Sequence, residues 1–483
     1  MRPSRASGVP IVSVNSPAAG ATAGTIDDLV PGSFRDPHGF VYRHNGVVLR
    51  QVNERGRGDY DALMRSGLYE TLTSRGELIP HEELEVSAAA RPGAYRVLRP
   101  EQIPFISYPY EWSFGQLKDA ALLTLRLQKA AMDVGLSLRD ATSYNVQFHH
   151  GRPVWIDTLS FEPLIEGRPW VAYRQFCEFF LAPLALMGQT DVRLQQLLRG
   201  YIDGIPIDLA ARLLPRTTYL KAGLLTHVHL HGAAQRRHAG SGTPAAKSPP
   251  RMSLTALRGL VDSLDRTVQA LDWTPTGTVW ADYYTDTNYT ESAFAHKQAL
   301  VEQAIDRVAP ETVWDLGAND GTFSRLASRK KIRTLAFDVD PAAVEKNYRR
   351  VRDDRDEFLL PLLLDLTNPP GGFGWANQER MALTERGPAD LVIALALVHH
   401  LAIGHNVPLP QVAQFLASLG RTLVVEFVPK ADSQVQRMLA SRDDIFDGYT
   451  QEGFETAFGR WFQILDRTPV GDSQRRLYTM RAV

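Results

Sequence analysis

The chain of 483 residues contains a single cysteine, Cys177. One thiol excludes an intramolecular disulfide and a zinc site built from cysteines. Proteins of the reducing cytosol rarely carry disulfides. The cysteine content therefore favours a cytoplasmic protein.

The sequence also lacks an excess of charge and a long apolar run. It has 53 Lys+Arg against 54 Asp+Glu, a formal net charge of −1. Balanced charge gives no general attraction to nucleic acid or anionic lipid. No segment is long and apolar enough to span a bilayer, and residues 1–30 lack the apolar run of a signal peptide. We therefore expect neither nucleic acid nor a membrane as a partner; the sequence leaves the oligomeric state open.

The most informative motif lacks the usual phosphate-binding features. Residues 313–321, VWDLGANDG, place a glycine turn between an apolar strand and the start of a helix. Such a turn lets a ligand approach bare backbone at a helix N-terminus. It has neither the G-x-G-x-x-G spacing of a pyrophosphate site nor a P-loop lysine. Asp315 in this turn disfavours a phosphate and suits a cation.

A second acid ends the next apolar strand, which we predict over 332–337. Asp338 follows the glycine turn by about 20 residues, the spacing at which an acid receives ribose hydroxyls in βαβ nucleotide-binding units. Pro341 suits the first turn of a following helix. A ribose-bearing cation without phosphates is expected, and S-adenosylmethionine has both a sulfonium and an amino group.

Residues 280–483 resemble class I S-adenosylmethionine-dependent methyltransferases. Five pieces match in order: DLGANDG (315–321), the strand end at Asp338, LLLDLTN (362–368), DLVIALALVHHL (390–401) and TLVVEF (422–427). The resemblance implies that Asp315 and Gly317 line the methionine moiety, that Asp338 takes the ribose, and that Asp365 meets the adenine amino group. The expected cofactor-binding set is Asp315, Gly317, Asn319, Gly321, Asp338, Asp365, Leu366, Tyr289 and Lys297.

Tyr283, Tyr284 and Tyr289 precede the first helix of this unit, which carries Lys297. In the resembling family this segment often closes over the cofactor. Packing without specificity is the alternative for these tyrosines.

Catalytic candidates lie where the later strands end. His399 and His400 follow the apolar strand 391–397, and ligands of such sheets bind outside the carboxyl ends of the strands. One of the two is expected near the transferring methyl, as a base or only in packing. Glu426 ends the next strand, where it can hold a substrate cation, orient a histidine or serve a helix N-terminus.

The motif around these histidines bears on the acceptor. The patterns N-P-P-Y and D-P-P-Y, typical of methylation at base nitrogens or glutamine amides, are replaced by LALVHH (395–400). We predict O-methylation, at a hydroxyl or carboxylate, of a small molecule such as a secondary metabolite or a sugar derivative. The whole layout, with YPYEWSF (108–114) in its front half, resembles nodulation-protein-like bacterial methyltransferases.

The chain is expected to divide at a linker rich in proline, glycine and serine. We predict a disordered tail over 1–32, an N-terminal α+β domain over 33–232, the linker over 233–252 and the methyltransferase domain over 253–483. Alternating strands and helices predict an α/β, doubly wound, mostly parallel sheet in the C-terminal domain. Two final strands predict an antiparallel hairpin at its edge.

The N-terminal half carries a second, weaker resemblance. A hairpin with an Asn45-Gly46 turn is followed by Asp140, Asn145 and Asp157, an arrangement that resembles protein-kinase-like and aminoglycoside-phosphotransferase-like folds. In those folds the first acid orients the acceptor hydroxyl and the other two residues hold magnesium. The segment 106–112 would be the hinge. A glycine-rich loop is missing, and Arg50 stands where a lysine is expected.

Three interpretations of this half stay open. Asp140 and Asn145 can simply cap turns of a helical domain. The domain can be a degenerate kinase-like platform for a substrate or a macromolecular partner. It can also be an active kinase, which would make the protein a bifunctional kinase–methyltransferase.

Histidine clusters are the remaining candidates for metal ligands. His227, His229 and His231 alternate, so on a strand they would share one face and could bind zinc. No acid or cysteine stands near them in sequence, so we expect a structural role and no metal. His149 and His150 are expected in a hairpin turn that faces solvent.

Overall fold

The computed structural model describes residues 26–240, 251–276, 290–440 and 442–483. The front domain begins with a five-stranded antiparallel sheet in the order β1-β2-β3-β5-β4. Its strands are β1 (Ile26–Leu29), β2 (Gly39–His44), β3 (Val47–Asn53), β4 (His81–Leu84) and β5 (Ala94–Pro100). Asn45 and Gly46 both have positive φ, 52° and 77°, as the tight turn between β2 and β3 requires.

Helices and short strands complete the front domain. Two antiparallel pairs are formed by β6 (Leu136–Leu138) with β9 (Phe161–Pro163) and by β7 (Val146–His149) with β8 (Arg152–Trp155). The helices are α1 (Arg57–Arg65), α2 (Leu68–Ser74), α3 (Phe114–Asp133), α4 (Tyr173–Phe176), α5 (Ala182–Gln189), α6 (Leu197–Gly200), α7 (Ile207–Leu213), α8 (Ala222–Leu224), α9 (His231–Gly240) and α10 (Leu254–Ala270). None of the described helices is both long and apolar enough to cross a membrane.

The boundary between the halves differs from the expected one. Helix α9 runs to Gly240, into the segment predicted as linker from 233. Helix α10, predicted as part of the C-terminal unit, packs on α3 of the front domain, where Arg258 pairs with Asp133 and Lys129 with Asp265. The apolar face of α10 must be buried against another element, but helical periodicity does not identify that element. In space, the front domain therefore continues through α10.

The C-terminal domain is built on a seven-stranded sheet in the order β12-β11-β10-β13-β14-β16-β15. Its strands are β10 (Thr312–Leu316), β11 (Arg333–Asp338), β12 (Leu359–Leu363), β13 (Ala389–Ala394), β14 (Gly420–Phe427), β15 (Phe462–Pro469) and β16 (Arg476–Ala482). The first five in this order pair in parallel, and β16 runs antiparallel to both of its neighbours. The doubly wound sheet with an antiparallel edge is confirmed.

Helices link consecutive strands in the parallel part of this sheet, with one exception. The described helices of this domain are α11 (Glu291–Val308), α12 (Ser324–Ser328), α13 (Pro341–Asp354), α14 (Leu409–Leu419), α15 (Ser433–Leu439) and α16 (Gln451–Phe458). The connection from β12 to β13, residues 364–388, contains two short 3₁₀ turns and an isolated bridge between Phe373 and Arg380, and no α-helix.

The front domain packs against the sheet beside this exceptional connection. Phe105 packs edge-on against Trp314 and Phe337, at ring-centroid distances of 5.6 and 6.1 Å. The Gln116 side-chain amide donates to the carbonyl of Pro361 at 3.0 Å. Parallel sheets are normally covered on both faces, so the front domain supplies cover that a crossover helix would otherwise give.

The segment 106–112, expected as a hinge, joins β5 to α3 and is buried at this interface. The Arg386 guanidinium donates to both oxygens of Glu111, at 2.6 and 2.8 Å, and both side chains are 2% exposed. The Tyr108 hydroxyl accepts from the backbone amide of Met381 at 2.8 Å. The two domains therefore share one core.

Candidate functional site

The turn after β10 presents bare backbone at the carboxyl edge of the sheet. Gly317 and Gly321 have φ of 75° and 80°, a region that favours glycine. A Cβ on Gly321 would lie 2.5 Å from the Asn347 side chain. One on Gly317 would meet Leu397 at 3.4 Å, which shows how close the end of β13 comes to the turn.

Asp338 lies at the end of β11 beside this turn. Its two oxygens accept backbone hydrogen bonds from Asn319 at 2.7 Å and from Asp340 at 2.8 Å. Burial raises the pKa of Asp338 to about 6. The carboxylate is thus oriented by the backbone.

Asp315, near the end of β10, is also buried. It accepts a hydrogen bond from the Ser324 hydroxyl at 2.6 Å. Burial is the main cause that raises the pKa of Asp315, to about 7. The hydrogen bond from Ser324 opposes this shift, and the negative charge of Asp338 adds to it. Two buried carboxylates with raised pKa values stabilise a cation and repel a phosphate.

Asp365 and Leu366 follow β12 on the same edge. Asp365 is exposed, and one of its oxygens accepts from the amide and hydroxyl of Thr367. The next residues are held by the front domain, because Arg199 donates to the carbonyls of Asn368 at 3.0 Å and Pro369 at 3.1 Å.

Lys297 and Glu426 form a buried ion pair behind the turn. Their side chains are 3% and 0% exposed, and the ammonium lies 2.6 Å from the carboxylate. Glu426 also accepts from the amide of Ala396 at 2.9 Å, and it faces Arg475 at 3.7 Å. Arg475 in turn binds Asp432. Glu426 therefore fixes the backbone at the end of β13.

The two histidines follow immediately on that backbone. His399 is 2% exposed, and burial holds its pKa well below the usual range, with His400, Arg475 and Lys297 contributing. Its Nδ1 is buried without a hydrogen-bond partner. Burial also lowers the pKa of His400 to about 4. Both imidazoles are neutral at pH 7 and do not repel a cationic ligand.

Some residues of the site were not predicted from the sequence. Arg475 and Asp432 complete the buried charge cluster, yet both lie in loops with no motif around them. Ser324 was missed because its hydroxyl points back to Asp315 from the following helix. Tyr283, Tyr284 and Tyr289, the expected cofactor lid, lie outside the described residues.

The histidines near residue 229 do not share one face of a strand, because the segment Leu225–Leu230 is helical. His227 lies between the hydroxyls of Tyr173 and Ser263, each at 2.9 Å. His229 contacts the Thr218 hydroxyl at 2.8 Å. Both ring nitrogens of His227 and one of His229 are thus engaged by hydroxyl groups.

The front-domain acids do come together. Asp140 accepts from the amide of Thr142, and burial raises its pKa, with Asp157 contributing. Asp157 forms an ion pair with Arg50 and accepts from the Ser160 hydroxyl at 2.6 Å. Asn145 donates to the same Ser160 hydroxyl.

One known protein resembles the chain over most of its length, and several solved structures resemble about two fifths of it. No protein-family model matches it. Nodulation protein NoeA of Rhizobium meliloti (strain 1021) is 35% identical over 460 residues, covering 93% of this chain and 95% of NoeA.

The structural neighbours are distant. Magnesium protoporphyrin IX methyltransferase (ChlM) from Synechocystis PCC 6803 with bound SAH is 17% identical, over 42% of this chain and 93% of its own, with a TM-score of 0.30. N-methyltransferase NodS from Bradyrhizobium japonicum WM9 is 14% identical, over 40% and 97%, with a TM-score of 0.29. The bifunctional kinase-methyltransferase WbdD is 14% identical, over 40% and 40%, with a TM-score of 0.27.

Because these TM-scores are low, the fold assignment rests on the strand order and the motif positions. The mostly parallel sheet with its antiparallel edge hairpin and the glycine turn after β10 are those expected from the resemblance found in the sequence. The extent and identity of the NoeA alignment establish the family. The chain belongs to the family of nodulation protein NoeA, and its C-terminal domain has the doubly wound, mostly parallel sheet that the resemblance to class I S-adenosylmethionine-dependent methyltransferases predicts.

Proposed function

We propose that the protein transfers a methyl group from S-adenosylmethionine to an oxygen of a small molecule, such as a secondary metabolite or a sugar derivative. The observation that carries this is the pairing of bare backbone at Gly317 with two buried carboxylates, Asp315 and Asp338. These residues suit a ribose-bearing cation. When bound, the cofactor supplies a methyl group on a sulfonium, an intrinsically good leaving group.

Each acid has a separate part in holding the cofactor. Asp338, whose orientation is set by two backbone amides, would accept the ribose hydroxyls. Asp315 would face the charge of the methionine moiety, and Asp365, exposed at the adjacent strand end, would accept from the adenine amino group. Lys297 and Glu426 act as positioning residues, because they form a buried ion pair with each other.

His399 is the group proposed to accept the acceptor's proton. Its Nδ1 is buried, unpaired and on a neutral ring. A hydroxyl nucleophile must lose a proton as the bond to carbon forms, and a positioned base contributes about 10²- to 10⁴-fold to such a step. Alignment of the reacting atoms supplies much of the rest.

Direct titration of the full chain with S-adenosylmethionine tests the cofactor. Stoichiometric binding is expected, and its absence from well-folded protein would refute the proposal. Incubation with methyl-labelled cofactor and a panel of hydroxyl and carboxylate acceptors then tests the reaction. With an active acceptor, His399→Gln is expected to lower kcat about 100-fold or more with the Kd of the cofactor unchanged.

The neighbouring variant His400→Gln serves as the matched control and is expected to keep most of the turnover. Near-normal turnover of His399→Gln would mean that alignment alone drives the step, and would favour a carboxylate acceptor, which has no proton to lose. Label appearing only on nitrogen acceptors would contradict O-methylation.

A second candidate function concerns the front domain, where Asn145 and Asp157 both contact the Ser160 hydroxyl and Asp140 lies close enough to interact with both of them. This convergence favours phosphoryl transfer, with Arg50 paired to Asp157 in place of a lysine. Titration with ATP and magnesium tests it: binding that is lost in Asp157→Asn supports a kinase-like site. No binding by the intact chain leaves the domain as a platform.

A further inference from the structure

A second cluster of chemically suited side chains lies far in sequence from the methyltransferase motifs. Glu101 follows β5, His149 is the last residue of β7, and His150 is the first residue of the turn between β7 and β8. The Nε2 atoms of the two histidines lie 3.0 and 3.4 Å from the same oxygen of Glu101. The two imidazole rings are 3.9 Å apart.

The backbone holds these three groups in place. His150 has a φ of 49°, in the left-handed region that histidine adopts infrequently, and this brings two successive side chains to one side of the turn. The amide of Glu101 donates to the carbonyl of Pro80 at 2.9 Å. The carboxylate and the hairpin therefore approach each other from separately anchored segments.

We propose that Glu101, His149 and His150 form a binding site for a divalent transition-metal ion of the zinc class. One ligand atom from each residue lies within 4.8 Å of the others. Ligands about 2.0–2.2 Å from a tetrahedral Zn²⁺ lie roughly 3.3 Å from one another, close to the two observed nitrogen–oxygen separations. Two imidazoles with one carboxylate prefer zinc, nickel or copper over magnesium or calcium.

The position of this cluster gives the ion a structural role. A Cβ at Gly151, the next residue of the turn, would lie 2.6 Å from the carbonyl oxygen of Asp356, so the turn abuts the C-terminal domain. Phe148, in the same hairpin, packs edge-on against Tyr348 of that domain. An ion that ties Glu101 to the turn would stabilise the junction between the two domains.

Calorimetric titration of the tag-free full chain with Zn²⁺ alone tests the site. We expect one ion per chain, a rise of about 3 °C in Tm at saturation, and no response to Mg²⁺. The variants Glu101→Gln, His149→Ala and His150→Ala should each weaken Zn²⁺ binding at least tenfold. His44→Ala, which removes a histidine of the same domain outside the cluster, should bind as the parent does.

Three results would overturn the site: no stoichiometric binding, equal binding by the cluster variants and the parent, or a Tm shift that persists in those variants. A loss of Tm in the variants without any dependence on Zn²⁺ would show instead a simple histidine–glutamate ion pair. Since each readout uses metal alone, the outcome is independent of methyl transfer.

Discussion

The front and C-terminal domains each bring acids together at the ends of strands, but the acids have different partners. Asp157 of the front domain is paired with Arg50. Asp338 accepts from backbone amides at a glycine turn. A cation that binds at Asp157 must compete with Arg50, whereas buried acids with raised pKa values become more stable when a cation binds. The local partner of an acid is thus a better guide to function than the acid itself.

The sharpest test of this comparison replaces one acid in each domain. Asp338→Asn is expected to weaken S-adenosylmethionine binding about 100-fold, because hydrogen bonds to a charged group are worth about 1.5–3 kcal/mol each. Asp157→Asn should leave that binding unchanged. Calorimetric titration of both variants measures the difference, and equal losses would break the comparison.

The two domains share a core, and the buried Arg386–Glu111 ion pair tests whether they unfold together. Both side chains are 2% exposed, so Glu111→Gln leaves a buried arginine without its charge partner. Removing one member of such a pair costs about 3 kcal/mol. Chemical denaturation should show a loss of this size, in one transition reported by both domains.

The exposed pair of Arg99 with Glu82 provides the matched control for that experiment. Glu82→Gln should leave the free energy of unfolding nearly unchanged, because surface ion pairs contribute little. Separate unfolding transitions for the two domains would contradict the shared core.

The raised pKa values of Asp315 and Asp338, about 7 and about 6, predict a pH dependence. Their raised values mean that the folded chain binds more protons than the unfolded chain from about pH 4 to 7, so their contribution to stability falls as pH rises. Bound cation favours the ionised acids. S-adenosylmethionine should therefore bind about tenfold more tightly at pH 8 than at pH 5.5.

Calorimetry over this pH range checks the prediction, and Asp338→Asn should remove the lower of the two steps. Affinity that is flat with pH in the parent protein would mean that neither acid faces the cofactor charge.

The smallest expected effect concerns the contact between the front domain and the segment that follows Asp365, the residue proposed to meet the adenine. Arg199→Gln removes hydrogen bonds to Asn368 and Pro369, and should raise the Kd of S-adenosylmethionine about fivefold, the equivalent of one net hydrogen bond. Arg193, exposed and paired locally with Asp191, offers the control Arg193→Gln, which should bind normally. A fall in Tm without a change in Kd would show a purely structural contact.

The sequence predicted the C-terminal sheet well because its signals are local. Each strand is a short apolar run, and the residues at its end mark the rim where ligands bind. The positions of Asp315 and Asp338 beside the turn follow from this, since parallel strands place their carboxyl ends on one edge. The assignment of α10 and the segment 225–230 was not predictable in the same way, because apolar or alternating patterns do not identify the packing partner.

By itself, the sequence determined the alternation of strands and helices, the glycine turn and the acids that follow it, because backbone freedom and hydrophobic periodicity are properties of neighbouring residues. Only the tertiary structure decided that Lys297 would be neutralised by Glu426, that Arg386 would bury Glu111, and that the front domain would help to cover the sheet. Those outcomes depend on which charged groups, distant in sequence, are buried against each other and desolvated. The packing of whole helices and sheets determines that burial.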